Sequence, residues 1–295
     1  MVHSHMLFAG AAALVLAFAG QVQAQDASQP AATAPSEEVF NLDTVEVQGR
    51  RLKDAVSSFI GDVSANAGRN EQLARFEQRV CPGVIGLPPE HAQVINDRIA
   101  EAALRVDLSV GRPGCFPNVL VIATDDSDRL ARELMEEHRL TFKHHVNGQE
   151  RGSELLAEFG RPGRLVRWWH MTELTPAGTL NSRLRAAVRT DIYRSIIIID
   201  TARIGAVSVP ALGDYVAMTA LARLSPDADT SGADTVLNLF GHPRGTVAGL
   251  TAWDVAYLQG LYSAESASAH RNLQEADMAW WMARRVRQVA AAEPN

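Results

Sequence analysis

The chain is short of cysteine, lysine and long apolar runs, and each shortage closes off a class of function. Its 295 residues include two cysteines, Cys81 and Cys115. Without matched histidines, two cysteines are too few for a structural zinc site. Of the 28 basic residues only Lys53 and Lys143 are lysines, and no basic block occurs. With a net charge of −6, this argues against nucleic acid as the main partner. The preference for arginine reads as a compositional bias of the source. The apolar stretch Met6–Gly20 is shorter than the ~20 residues that span a bilayer, and no later segment approaches that length. There is no G-x-S-x-G elbow, no phosphate-loop glycine spacing in GRPGC (111–115) or GRPG (160–163), and no internal repeat.

What is present begins with an export signal. Residues 1–24 combine a short polar start, the apolar stretch and the small-residue ending Val22-Gln23-Ala24, the layout of a secretory signal peptide cut after Ala24. They hold no Asp, Glu, Lys or Arg, so the mature chain keeps the full negative charge. The expected location is the periplasm or the extracellular medium, with no membrane span after cleavage. Residues 25–38, QDASQPAATAPSEE, carry almost no apolar bulk and read as a disordered tether. Residues 39–295 are then long enough for one globular domain with its own core. In an exported chain Cys81 and Cys115 suggest a disulfide. Closing a loop of that length stabilises by about 3–4 kcal/mol in the chain-entropy model; two unpaired thiols are the alternative.

The periodicities predict an α/β or α+β fold, a mixed sheet covered by helices. Val45 and Val47 alternate with polar neighbours in VFNLDTVEVQGRR (39–51), as in a half-buried first strand. LKDAVSSFIGDV (52–63) reads as a helix, and NEQLARFEQRV (70–80) follows it. Strand, turn and helix are expected from Cys81 to Val110, with Pro88 and Pro89 at the helix start. NVLVIATDD (118–126) is a buried strand and SDRLARELMEEHRL (127–140) a helix capped by Ser127 or Asp128. This amino-terminal half, about 39–140, has βα repeats suited to a right-handed crossover. Residues 141–163 read as a loop, 164–186 as a hairpin turning at Pro176-Ala177-Gly178, and SIIIID (195–200) as a central strand. VPALGDYVAMTALARL (209–224) reads as an amphipathic helix. A second helix spans 250–262, where Thr251 and Asp254 resemble a capping box. The last helix spans 270–292.

The order SIIIID, VPALGDYVAMTALARL, LTAWDVAYLQGLY is similar to the core of zincin-type metallopeptidases of the matrixin and serralysin branch. The later segment matches the form L-[ST]-x-x-D-x-x-x-L-x-x-L-Y through Leu250, Thr251, Asp254, Leu258, Leu261 and Tyr262. The resemblance is topological, covers roughly residues 190–262, and implies a zincin-like carboxy-terminal half (about 164–295). With CPG, GRPGC and NVLVIATDD ahead of it, the layout also resembles an uncharacterised family of bacterial envelope proteins. A zincin needs two imidazoles four residues apart on one helix face and a glutamate beside the first. Here those positions fall on Asp214, Met218 and Tyr215, the glycine of the extended motif on Leu221, and the third ligand on Leu224. Hydrocarbon and thioether cannot hold zinc. No metal or cofactor is therefore expected.

The other candidates are weaker. His138, His144 and His145 belong to a polar stretch. His170 follows Trp168-Trp169 as a hairpin residue packing on aromatics, and His242 sits in a turn. Asp125, Asp126 and Asp128 close a strand where α/β proteins often bind ligands, so they are candidates for a cation or a helix cap. Thr44, Val45, Glu46 and Val47 resemble the strip that precedes the plug of TonB-dependent receptors, which implies strand addition to a partner's sheet edge through residues 43–48. The leading expectation is a non-catalytic binding or accessory protein on a degenerate peptidase-like scaffold, with an unknown protein or cell-envelope ligand as partner. The alternatives are a hydrolase using Asp214, Tyr215 and Asp254, and an envelope protein docking to TonB-like machinery.

Overall fold

The computed structural model describes residues 42–64, 72–138, 142, 152–176, 188–241, 246–264 and 271–292. The expected signal peptide and tether, Ala177-Gly178, His144, His145 and His242 lie outside them.

Four consecutive isoleucines, Ile196–Ile199, are buried on both faces of strand β5 (Val188–Asp200) and make it the spine of the sheet. Each such side chain contributes roughly 1.5–3 kcal/mol by leaving water. Along one edge β5 pairs antiparallel with β4 (Val166–Pro176). Its other edge pairs in parallel first with the short β1 (Arg75–Phe76), at Asp191 and Ile192, then with β3 (Val119–Thr124), from Ser195 to Asp200. Strand β2 (Pro82–Ile85) adds in parallel to β3. The α/β expectation and the central place of SIIIID therefore hold. The expected hairpin is larger than its pattern suggested, because its second arm is β5 itself, starting at Val188.

Side chains alternate across the sheet. Val119, Val121, Ile197 and Ile199 share one apolar cluster, while Ile122, Ile196, Ile198 and Trp169 share the other. Ile192 joins the first cluster despite its even number, because the ladder slips there: Met171 pairs with Arg194 and Thr172 with Ile192. Tyr193 is left over as a bulge, and one extra residue reverses the alternation.

The thinner layer consists of α3 (Ser127–Glu137) and α4 (Gly152–Gly160), packed through Ala131 and Phe159. Helix α4 corrects the loop expected over 141–163; Leu155, Leu156 and Phe159 provide a helical apolar stripe too short to stand out from its polar surroundings. The thicker layer holds α1 (Leu42–Val63), α2 (Pro89–Leu104), α5 (Val209–Leu221), a 3-10 turn (Val236–Phe240), α6 (Ala252–Ser263) and α7 (Arg271–Ala292).

Helix α1 corrects the first strand expected at 43–48. Val56, Phe59, Ile60 and Val63 are buried at spacings of three and four residues. Once that amphipathic turn has nucleated, extension by a further residue is far easier than a switch to strand, and the two-residue alternation at Val45 and Val47 is overridden. Cys81 and Cys115 form a disulfide with Cα atoms 6.1 Å apart, joining the residue before β2 to the loop before β3. The two sequence halves share one sheet, since β3 of the first pairs with β5 of the second.

Candidate functional site

Helix α5 starts at Ser208, whose Oγ accepts from the Ala211 amide at 3.3 Å, with Pro210 in the first turn. Every residue from Ala211 to Leu221 is buried, so the amphipathic face expected here is absent. Such a helix belongs in a core. At Gly213 a Cβ would lie 2.9 Å from Arg98 Cγ and 3.4 Å from Ile95 Cα, so the bare backbone is what lets α2 come this close.

The three residues proposed for hydrolysis lie in or beside this buried helix. Asp214 Oδ2 accepts from the Leu250 amide at 3.0 Å and lies 3.8 Å from Arg98. Burial pushes its carboxyl above the ordinary range, against that hydrogen bond and the nearby guanidinium. The chain passes tightly over it, since a Cβ at Gly249 would sit 2.3 Å from Oδ2. Tyr215 packs edge-on against Phe240 (4.9 Å) and Trp168 (6.4 Å), and burial raises its hydroxyl far above a free phenol. Asp254 completes the expected capping box with Thr251. Its carboxylate also accepts from the Val236 amide at 2.7 Å and from Thr235 Oγ1 at 2.5 Å. Burial raises the Asp254 carboxyl, and those hydrogen bonds oppose the rise.

Asp214 and Asp254 thus fasten consecutive amides, Leu250 and Thr251, of the strap that enters α6. The other motif residue, Tyr262, donates to the Leu221 carbonyl at 2.8 Å and accepts from the Phe76 amide at 3.2 Å, tying α6 to the end of α5 and to β1. Met218, Leu221 and Leu224 are fully buried. The match to the later zincin-like segment is therefore a set of fasteners and core contacts.

The acidic residues after β3 are also engaged. Asp126, rather than Ser127 or Asp128, caps α3 by accepting from the Arg129 amide at 3.0 Å. Asp128 accepts from Arg203 at 2.6 Å, from the Gly163 amide and from the buried Arg167. Burial works against its ionisation, but these donors hold the carboxyl below its usual range. Asp200 takes Ser127 Oγ at 2.8 Å and the Arg203 amide at 2.9 Å. At the carboxyl ends of the parallel strands, a frequent ligand site in such sheets, these carboxylates are engaged by an arginine network. Asp125 is exposed. Among the described residues no group of three His, Cys, Asp or Glu is placed to hold a metal ion. His170 lies on β4 opposite Ser195. Burial, with Arg223 nearby, pushes its ring down to about 4, so the imidazole is neutral.

The outer face of α7 differs in kind. Its inner stripe, Gln274, Met278, Ala279, Met282 and Ala283, is buried. Trp280 and Trp281 fall off that stripe and are 56% and 41% exposed, edge to face at 5.1 Å. Leu273 is also exposed on the same helix. Arg284 lies over the Trp280 ring at 5.4 Å, a cation–π contact that restrains the guanidinium. Among the described residues no carboxylate pairs with Arg284, Arg285 or Arg287. Between α7 and α1 runs a groove of about 640 Å³ with a floor of Ala276, Ala279 and Ala283, rimmed by Lys53, Trp280, Arg284 and Arg287. A second depression of about 420 Å³ lies on the other flank, where Trp281 and Arg285 meet Tyr262 and Arg105. The signal was legible in WWMARRVR: adjacent tryptophans cannot both face inward beside two methionines four residues apart. Reading this stretch only as a last helix missed it.

Comparison with family models, curated proteins and solved structures returned no match for this chain. The fold and surface described above are therefore the basis for any functional reading.

Proposed function

We propose that this chain is an exported, non-catalytic binding protein of the cell envelope whose contact surface is the outer face of α7. The observation that carries this reading is the contrast in exposure. The side chains with catalytic potential, Asp214, Tyr215 and Asp254, are buried and serve the packing of α5 and α6. Two of the three large exposed aromatics among the described residues, Trp280 and Trp281, meet on α7 with arginines that no described carboxylate pairs; the third, Phe116, lies in the loop before β3 beneath Arg194. Tryptophan and arginine are enriched among the residues that dominate binding energetics: the indole brings a wide surface with only two torsions to immobilise, and the guanidinium a planar head with several donors. Export rests on the signal-peptide pattern of residues 1–24. Residues 43–48, the strip offered for TonB-like docking, are helical, and the proposed contact lies on α7 instead.

Two measurements test the proposal. The tagged full chain should be retained on washed cell envelopes, and Trp280→Ala with Trp281→Ala should release it without lowering its melting temperature appreciably. A hydrolytic activity that disappears in Asp214→Asn or Tyr215→Phe, with the fold intact, would replace binding by catalysis.

A further inference from the structure

We infer that the outer face of α7, together with the α1–α7 groove, docks on a bilayer surface rich in anionic phospholipid. The inference rests on the binding reading above and names the partner.

Charge complementarity is the first support. The protein carries a net −6, so most of its surface is repelled by an anionic membrane. The groove between α1 and α7 is the reverse: among the described residues Lys53, Arg284 and Arg287 line it and no carboxylate does. Arg285 extends the cationic strip on the other flank, where Asp107 is the one acid among the lining residues. Asp277, one turn before the tryptophans, is the acid that weakens the strip. The arginines do not sit in the last turn of α7, so compensation of the helix dipole, which fades beyond that turn, does not account for them.

The second support is the kind of apolar surface. Leu273, Trp280 and Trp281 are exposed on one helix beside those cations. Indole rings favour the headgroup level of a bilayer, with the ring body in the apolar boundary and the N–H in the wet layer. Lys and Arg stems lie along apolar surface while their heads reach phosphate. A floor of alanine methyls under a cationic rim suits the first carbons of an acyl chain below a headgroup. An acidic protein partner would use the cations, but it would give the exposed Leu273 and the shallow alanine floor no comparable role. Among the described residues no helix is long and apolar enough to cross a membrane, so the contact is peripheral and reversible.

The test uses the purified full chain with vesicles of phosphatidylcholine alone and of phosphatidylcholine with one part in three phosphatidylglycerol. The chain should co-sediment with the anionic vesicles at least ten-fold more strongly than with the neutral ones. Binding should weaken as salt screens the contact. Replacing Arg284 and Arg287 by Gln should lower affinity by about 25-fold, five-fold for each lost cation near the surface. Trp280→Ala should remove most of the blue shift of tryptophan emission on binding. Melting curves matching the parent chain show that these surface variants are folded. Equal binding to both vesicle types, or an Arg double variant that binds like the parent, overturns the inference. If vesicles do not bind but polyglutamate does, and loses binding in the Arg variant, the lipid partner is wrong and the α7 binding face stands. If vesicles and polyglutamate both fail and envelope retention ignores the tryptophans, both readings fall.

Discussion

Helices α5 and α7 belong to the same layer, yet they handle polar and aromatic residues in opposite ways. Around α5 the residues with polar groups serve the packing: Asp214 and Asp254 hold the strap at Leu250 and Thr251, and the Tyr215 ring is clasped between Trp168 and Phe240. On α7 the aromatic and cationic groups are spread on the outside, with two tryptophans in water and Arg284, Arg285 and Arg287 without a carboxylate partner among the described residues. A residue type that suggests chemistry is therefore informative only with its exposure. A buried aspartate surrounded by amides is a fastener, because removing it leaves donors with neither water nor partner.

Substitutions should separate the two regions, most strongly at Asp254. Asp254→Ala strands the Val236 and Thr251 amides and the Thr235 hydroxyl and removes the carboxylate half of the capping box, so stability measured by urea unfolding should fall by about 3–5 kcal/mol. A loss below about 1 kcal/mol would mean that the α6 entry is not held as described.

The next largest effect is set by pH at His170, whose carbonyl contacts are to Ala220 and Thr219 at the end of α5. The unfolded imidazole takes its proton near 6.5, whereas the buried ring does so only at about 4. Between those values the unfolded chain binds more protons, so this contribution is fully present above about pH 6.5 and is lost as pH falls towards 4. The full change is roughly 3 kcal/mol. A His170→Asn variant should show a much flatter stability profile between pH 6.5 and 4; an unchanged slope would assign the effect to other groups.

A smaller change is expected at Asp214. Asp214→Asn keeps an acceptor for the Leu250 amide and loses only the half-exposed contact with Arg98, so calorimetry should register about 1 kcal/mol or less. Smallest of all, Trp280→Ala and Trp281→Ala should each shift stability by no more than about 0.5 kcal/mol. Comparable losses at α5 and α7 would dissolve the contrast between fastener and contact face.

Much of the architecture was legible in particular residues. The isoleucine run announced a central strand, Pro88 and Pro89 marked the start of α2, and Thr251 with Asp254 marked that of α6. Cys81 and Cys115 found each other as expected. The failures have physical causes. Alternation at Val45 and Val47 lost to helix continuity, and the stripe of α4 was too short to be heard above its neighbours. The hairpin was drawn too small because β5 is at once its second arm and the core of the sheet. Of the candidate site, the apolar character of Met218 and Leu224 was readable, but the sealing of Asp214 was not.

The sequence by itself determined the central strand, the starts of α2 and α6 and the disulfide pair, since these depend on side-chain chemistry and short spacings. Only the tertiary structure decided that α5 is enclosed on every side and that the tryptophans of α7 stay in water. Burial is a property of what packs around a residue, and the neighbours of Asp214, such as Arg98 and Leu250, lie far from it along the chain.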